Sequence, residues 1–187
     1  MKRTGIFLIA ISLFTFLSFG IQAAQLNIPV SHTATIDSIS SDAGRILLKF
    51  DLPEELDKAF IDYAEVFFKA EPNPSSTHRV VISGFPLTRS WDKQTVSWSS
   101  PWTNDGGDYV DTIMVTCLDS KQESKLTSLD ITGIVRLWIE EEISNFGLIL
   151  MDSDREDGKL KLQESSKLPE DIKAQVRIFY TPRKIGK

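Results

Sequence analysis

Four tryptophans and two oxygen-rich loops are the parts of this sequence with chemistry to offer. A flat aromatic ring packs against the apolar face of a pyranose, so exposed tryptophans make sugar-stacking platforms. Trp138 lies on an apolar helical stripe and Trp98 follows Val96 on an expected strand, which assigns both to a core. Trp91 suits either role. Trp102 follows Pro101 and borders a polar loop, so it is the ring expected to face solvent, with Tyr109 across the same loop as its companion. Arg45, Lys49 and Lys69 fall at the wet positions of expected strands. Clustered, they would hold the carboxylates of an acidic glycan; scattered, they are ordinary solvated charges.

The first oxygen-rich loop is Asn104–Asp108 and the second is Asp152–Gly158. Carboxylate and amide oxygens concentrated on a loop suit a hard cation, which makes Asp105, Asp108, Asp152 and Asp154 candidate ligands for a structural Ca²⁺. The second loop resembles the start of an EF-hand loop, but its glycine comes one place late and no glutamate stands at the twelfth position. A solvated hairpin turn is the competing reading. Catalysis has less to stand on. His32 and His78 sit in unrelated polar contexts without metal-ligand spacing, and no serine elbow or Cys–His pairing is present. The expectation is that the protein is not an enzyme.

Composition sets the surroundings. The chain has 187 residues, 41% of them hydrophobic, enough for one domain with a real core. Met1-Lys2-Arg3, the apolar run Ile6–Gly20 and the small residues at Ala23-Ala24 form the three parts of a secretory signal peptide, expected over residues 1–24. The run is shorter than a membrane span requires. Removing Lys2 and Arg3 would take two positive charges from a formal −5 and leave −7. So acidic a domain is a poor partner for nucleic acid or an anionic membrane surface. Cys117 is the only cysteine, so no internal disulfide can form.

The elements that must position these residues are mostly strands. Gln25–Asp37 reads as an extended lead-in strand. In Arg45–Leu52, Ile46, Leu48, Phe50 and Leu52 face one way and Lys49 and Asp51 the other. Further strands are expected at Ile61–Ala70, Arg79–Phe85, Gln94–Trp98, Tyr109–Leu118, Leu126–Ile131, Phe146–Met151 and Ala174–Tyr180. One helix interrupts them: Ile131, Ile134, Val135, Trp138 and Ile139 recur at helical spacing, Asp130 and Thr132 are placed to cap it, and Asn145-Phe146-Gly147 supplies the turn beyond. Arg136 is expected on or near its wet side. Many short strands and one helix predict an all-β fold, an antiparallel sandwich closed at one end by the helix, spanning residues 25–182 before a basic tail at 183–187.

Several segments resemble one family. LLKFDLP (Leu47–Pro53), IDYAEVFF (Ile61–Phe68), SWDKQTVSWSSPW (Ser90–Trp102), the TNDGGDY loop, LDITGIVRLW (Leu129–Trp138), NFGLIL (Asn145–Leu150) and the closing VRIFY are similar in order and spacing to the DNRLRE domain, which overlaps carbohydrate-binding module family 96 and disaggregatase-related repeats. The hexapeptide that names the family is absent. The resemblance implies a jelly-roll sandwich on exported and cell-surface proteins, some of which bind acidic polysaccharides. The resulting expectation is an exported, non-catalytic carbohydrate-binding sandwich, at a surface, in a periplasm or in the medium. The alternative is a structural or adhesive surface protein that binds protein partners through a sheet face or an edge strand.

Overall fold

The computed structural model describes residues 23–40, 43–71, 81–118, 126–152, 161–162 and 174–183. The expected signal segment up to residue 22, His78, Asp154 and the tail beyond residue 183 lie outside them. Eleven strands and one α-helix are present among the described residues: β1 Ala24–Pro29, β2 His32–Asp37, β3 Gly44–Lys49, β4 Phe60–Phe68, β5 Ala70–Glu71, β6 Val81–Pro86, β7 Val115–Leu118, β8 Thr127–Asp130, α1 Thr132–Ile139, β9 Leu148–Asp152, β10 Lys161–Leu162 and β11 Gln175–Thr181. Nine of the strands build two antiparallel sheets, ordered β1-β11-β4-β8 and β2-β3-β9-β6-β7, while β5 and β10 form a separate short ladder. The all-β sandwich expected from the sequence is the fold observed.

Alternation explains why the sheets face each other. Ile46 and Leu48 from β3, Ile61, Ala64, Val66 and Phe68 from β4, Leu148 and Leu150 from β9, and Val176 and Ile178 from β11 all point into one shared core. The helix adds Ile134, Val135 and Trp138 to it, and Trp138 meets Phe50 edge-on at 5.5 Å between centroids. At the helix start the Asp130 carboxylate accepts from the Thr132 backbone N–H at 2.9 Å and from its hydroxyl at 2.6 Å. The Thr132 hydroxyl oxygen in turn accepts the Ala64 N–H at 2.9 Å, which ties the start of the helix to β4, although the N-cap position itself is Ile131, which has no side-chain cap. Arg136 is not on a wet face. Its side chain lies half-buried along β4, donating twice to the Ile61 carbonyl at 3.0 and 2.7 Å and covering the Phe60 ring.

Three strand expectations are corrected. Tyr109–Leu118 is a strand only at β7, Val115–Leu118, with Tyr109 making an isolated bridge to Leu87. The lead-in strand is two strands in different sheets: β1 pairs with β11 and β2 with β3. The break falls after Pro29, which has no N–H to offer a ladder; Val30 then donates to Ala174 and Ser31 to Lys49, carrying the chain from one sheet to the other. Gln94–Trp98 is a turn rather than a strand. Asp92 captures it, accepting Gln94 N–H on its carboxylate and the Thr95 and Val96 N–H groups on its carbonyl. An aspartate two residues before the run offers the backbone a local partner that competes with a ladder.

The five-stranded sheet is buried on both faces. Its outward residues Ile36, Leu47, Phe85 and Ile149 form a second cluster with Leu87, Trp91 and Trp102. Those last three belong to the irregular segment 87–114, which folds over the outside of the sheet. Residues 148–150 are therefore continuously apolar because each face of β9 has its own core.

Candidate functional site

Segment 87–114 builds the candidate site as it crosses the sheet. Leu87 bridges Tyr109, Thr88 N–H donates to the Asp108 carbonyl at 3.0 Å, and Val110 N–H to the Pro86 carbonyl at 3.0 Å, so residues 87–88 and 108–110 are tied together where β6 ends. Between them lies an open, polar-walled cleft of about 570 Å³, within the range of small-ligand sites. Arg45 and Tyr109 line it together with Thr88, Arg89, Thr103 and Asn104. Asp105, Asp108 and Asp111 bring three carboxylates to the same wall.

Arg45 is the central group. Its guanidinium donates to the Gly106 carbonyl at 2.7 Å, lies 4.9 Å from the Trp98 ring centroid and 5.8 Å from that of Tyr109. Both distances suit cation–π attraction. Burial lowers its pKa, opposed by the Tyr109 hydroxyl, and a guanidinium stays charged at neutral pH regardless. The close approach requires glycine at 106, where φ is +87° and an added Cβ would lie 2.7 Å from the Arg45 Nη1. Tyr109 is held from its other side by Phe85, with centroids 4.8 Å apart.

A second arginine shapes the loop. Arg89 donates to the Pro101 carbonyl and the Thr103 hydroxyl, both at 2.9 Å, and pairs with Asp108 at 3.3 Å. Asp108 also accepts the Thr103 N–H at 2.7 Å and the Asn104 N–H at 3.0 Å. Desolvation alone would raise the Asp108 carboxyl; the hydrogen bonds from Thr103 and Asn104, with the Arg89 charge, outweigh it and hold its pKa below the usual value.

The structure gathers some of the sequence candidates and separates others. Arg45, Tyr109, Asp105 and Asp108 meet at the cleft. Trp102 does not present a platform: it is 7% exposed, packs in the outer cluster, and gives its Nε1–H to the Ser97 carbonyl at 2.9 Å. Trp91 is buried likewise, donating to Phe146 O. Trp98, assigned to a core, is the half-buried ring under Arg45. A loop that covers a sheet must bury its largest rings beneath it, and local polarity does not report this.

The basic residues do not cluster as a trio. Lys49 closes β3 in the five-stranded sheet, opposite His32, whereas Lys69 follows β4 in the other sheet. The acidic candidates are also parted. Asp152 ends β9 opposite Ile82 and is not among the residues that line the cleft. Both Asp108 oxygens face N–H donors, a poor arrangement for a Ca²⁺ ligand. Among the described residues no group of three or more His, Cys, Asp or Glu side chains is placed to hold a metal.

Arg89, Asp111 and Thr88 carry no signal in the sequence. Arg89 acts on partners 12 to 19 residues away, and Arg45 on one 61 residues away. No protein-family model matches the chain. No curated protein matches it either. Geometry and chemistry therefore carry the functional reading.

Proposed function

We propose that this protein is an exported, non-catalytic sandwich that binds carbohydrate in the cleft between segment 87–114 and the outer face of the five-stranded sheet. The observation that carries the reading is the fixed Arg45 guanidinium, held by Gly106, Trp98 and Tyr109 at the wall of a cleft rich in hydroxyl, amide and carboxylate groups. Sugars are bound by such planar, directional groups on rigid supports. The resemblance to the DNRLRE domain supports the same class. Export is supported by the amino-terminal pattern, and no helix among the described residues is long and apolar enough to cross a membrane.

Binding without turnover is the reading because Asp108 is held ionised, the reverse of what a general acid needs. Among the described residues the cleft wall also brings no histidine, serine or cysteine to a nucleophile's position. Affinity electrophoresis through gels containing neutral and acidic polysaccharides tests the proposal. Retardation by at least one polymer, abolished in Arg45→Gln, is expected; uniform mobility in all gels would remove it.

One observation favours protein partners as a second reading. The outer face of the four-stranded sheet presents Tyr63, 37% exposed, beside Phe179 at 6.3 Å, and Phe60 nearby is 52% exposed. Exposed rings of this kind are common at interaction surfaces. Co-purification that survives added sugar and is lost in Tyr63→Ser would support this reading instead.

A further inference from the structure

We infer that the cleft's ligand carries an oxyanion and a protonated amine together, as an acidic amino sugar does. This deepens the carbohydrate reading and rests on it. Unpaired charge decides it. Of the charged groups lining the cleft, Arg89 and Asp108 neutralise each other at 3.3 Å. What remains is Arg45 on one side of the account and Asp105 and Asp111 on the other.

Arg45 is the strongest of these three. It is half-buried, and among the described residues no carboxylate lies within ion-pair reach of it. Two rings and one carbonyl hold it in place without cancelling its charge. A partly desolvated guanidinium gains most from a bidentate oxyanion, either a carboxylate or a sulfate. Asp105 and Asp111 are exposed, and their carboxylates make no hydrogen bond or ion pair with the described residues. Solvated carboxylates attract a cation weakly but also repel a run of anions. A polyanion satisfies Arg45 and is opposed by both aspartates; a polyamine meets the aspartates and is opposed by Arg45. A ligand bearing one group of each sign satisfies all three. Thr88, Thr103 and Asn104 supply hydroxyl and amide partners suited to a sugar ring.

Muramic acid, a hexosamine with a free amine and a carboxylate, is the probe. Calorimetric titration of the mature chain compares it with N-acetylmuramic acid, glucosamine, glucuronate, glucose and the dipeptide Lys-Glu, while the Arg45 Nε–H resonance is followed by NMR. Muramic acid is expected to bind about tenfold tighter than each single-charge sugar and to move the Arg45 resonance. Arg45→Gln should reduce it to the level of glucosamine. The paired substitutions Asp105→Asn and Asp111→Asn, both at exposed positions, should reduce it to the level of N-acetylmuramic acid. Equal binding of muramic acid and glucuronate, or of muramic acid and glucose, overturns the inference and leaves the carbohydrate reading standing. Tighter binding of Lys-Glu than of any sugar overturns both, as does absence of binding by every probe.

Discussion

The Arg45 guanidinium reaches across 61 positions of sequence to the carbonyl of Gly106, at 2.7 Å. That contact joins a strand of the five-stranded sheet to the loop that covers it, and it fixes the one cation of the cleft that pairs with no carboxylate among the described residues. Arg45→Gln should leave the two sheets intact, since the side chain lies outside the shared core. A loss of about 1–2 kcal/mol is expected from the removed charged hydrogen bond and ring contacts. Tryptophan emission reports it separately, because Trp98 loses its cover and should shift to the red.

Asp108 gives the loop a pH dependence with a defined sign. Its folded pKa lies below the ordinary carboxylate value. The stability it contributes is thus fully present above pH ~4 and is lost as pH falls through the folded value. Thermal unfolding of the wild type and Asp108→Asn should differ by a constant amount above that pH and converge below it. A gap that persists unchanged in strong acid would mean that the carboxylate charge is not what holds Thr103 and Asn104.

Trp102 and Trp98 separate packing from surface chemistry. Trp102→Ala opens a hole in the outer cluster and leaves the Ser97 carbonyl without its donor; a cost of roughly 3–5 kcal/mol is expected from a buried ring of this size. Trp98→Ala removes a half-buried ring and should cost roughly 1–2 kcal/mol. Denaturant midpoints check the order. The reverse order would place Trp102, not Trp98, on the surface.

Gly147 closes the turn into β9 with φ at +92°, and a Cβ there would run into the Leu48 carbonyl oxygen of β3. Its N–H is taken by the Asn145 side chain at 3.0 Å, while the Asn145 amide donates to Phe50 O at 3.1 Å. Gly147→Ala should destabilise by roughly 3 kcal/mol or more, combining an unfavourable φ with a backbone clash. Asn145→Ala should cost about 1–2 kcal/mol. Calorimetric melting of the two variants gives both values.

These positions show which parts of the molecule were legible in the sequence. The inner core was, because strand alternation in β3 and β4 and the helical spacing of Ile134, Val135 and Trp138 are local periodicities that burial enforces. Asn145-Phe146-Gly147 was legible for the same reason, since turn chemistry is local. The outer layer was not. Nothing near Trp102 in sequence says that segment 87–114 turns back over β3 and β9, so its position beside a polar loop read as exposure. Strand alternation puts Arg45 among three strand-face cations. The structure sends Lys69 to the opposite sheet and gives Arg45 partners from a loop 61 positions away. Strand alternation tells which face a residue takes; it does not tell what lies on that face.

Backbone and arginine-side-chain NMR during titration with a bound saccharide tests the central claim most directly. The resonances of Arg45, Asn104, Gly106 and Tyr109 are expected to move together and saturate with one dissociation constant. Shifts confined to Tyr63, Phe179 and their strand neighbours, or no shifts with any saccharide, would contradict it.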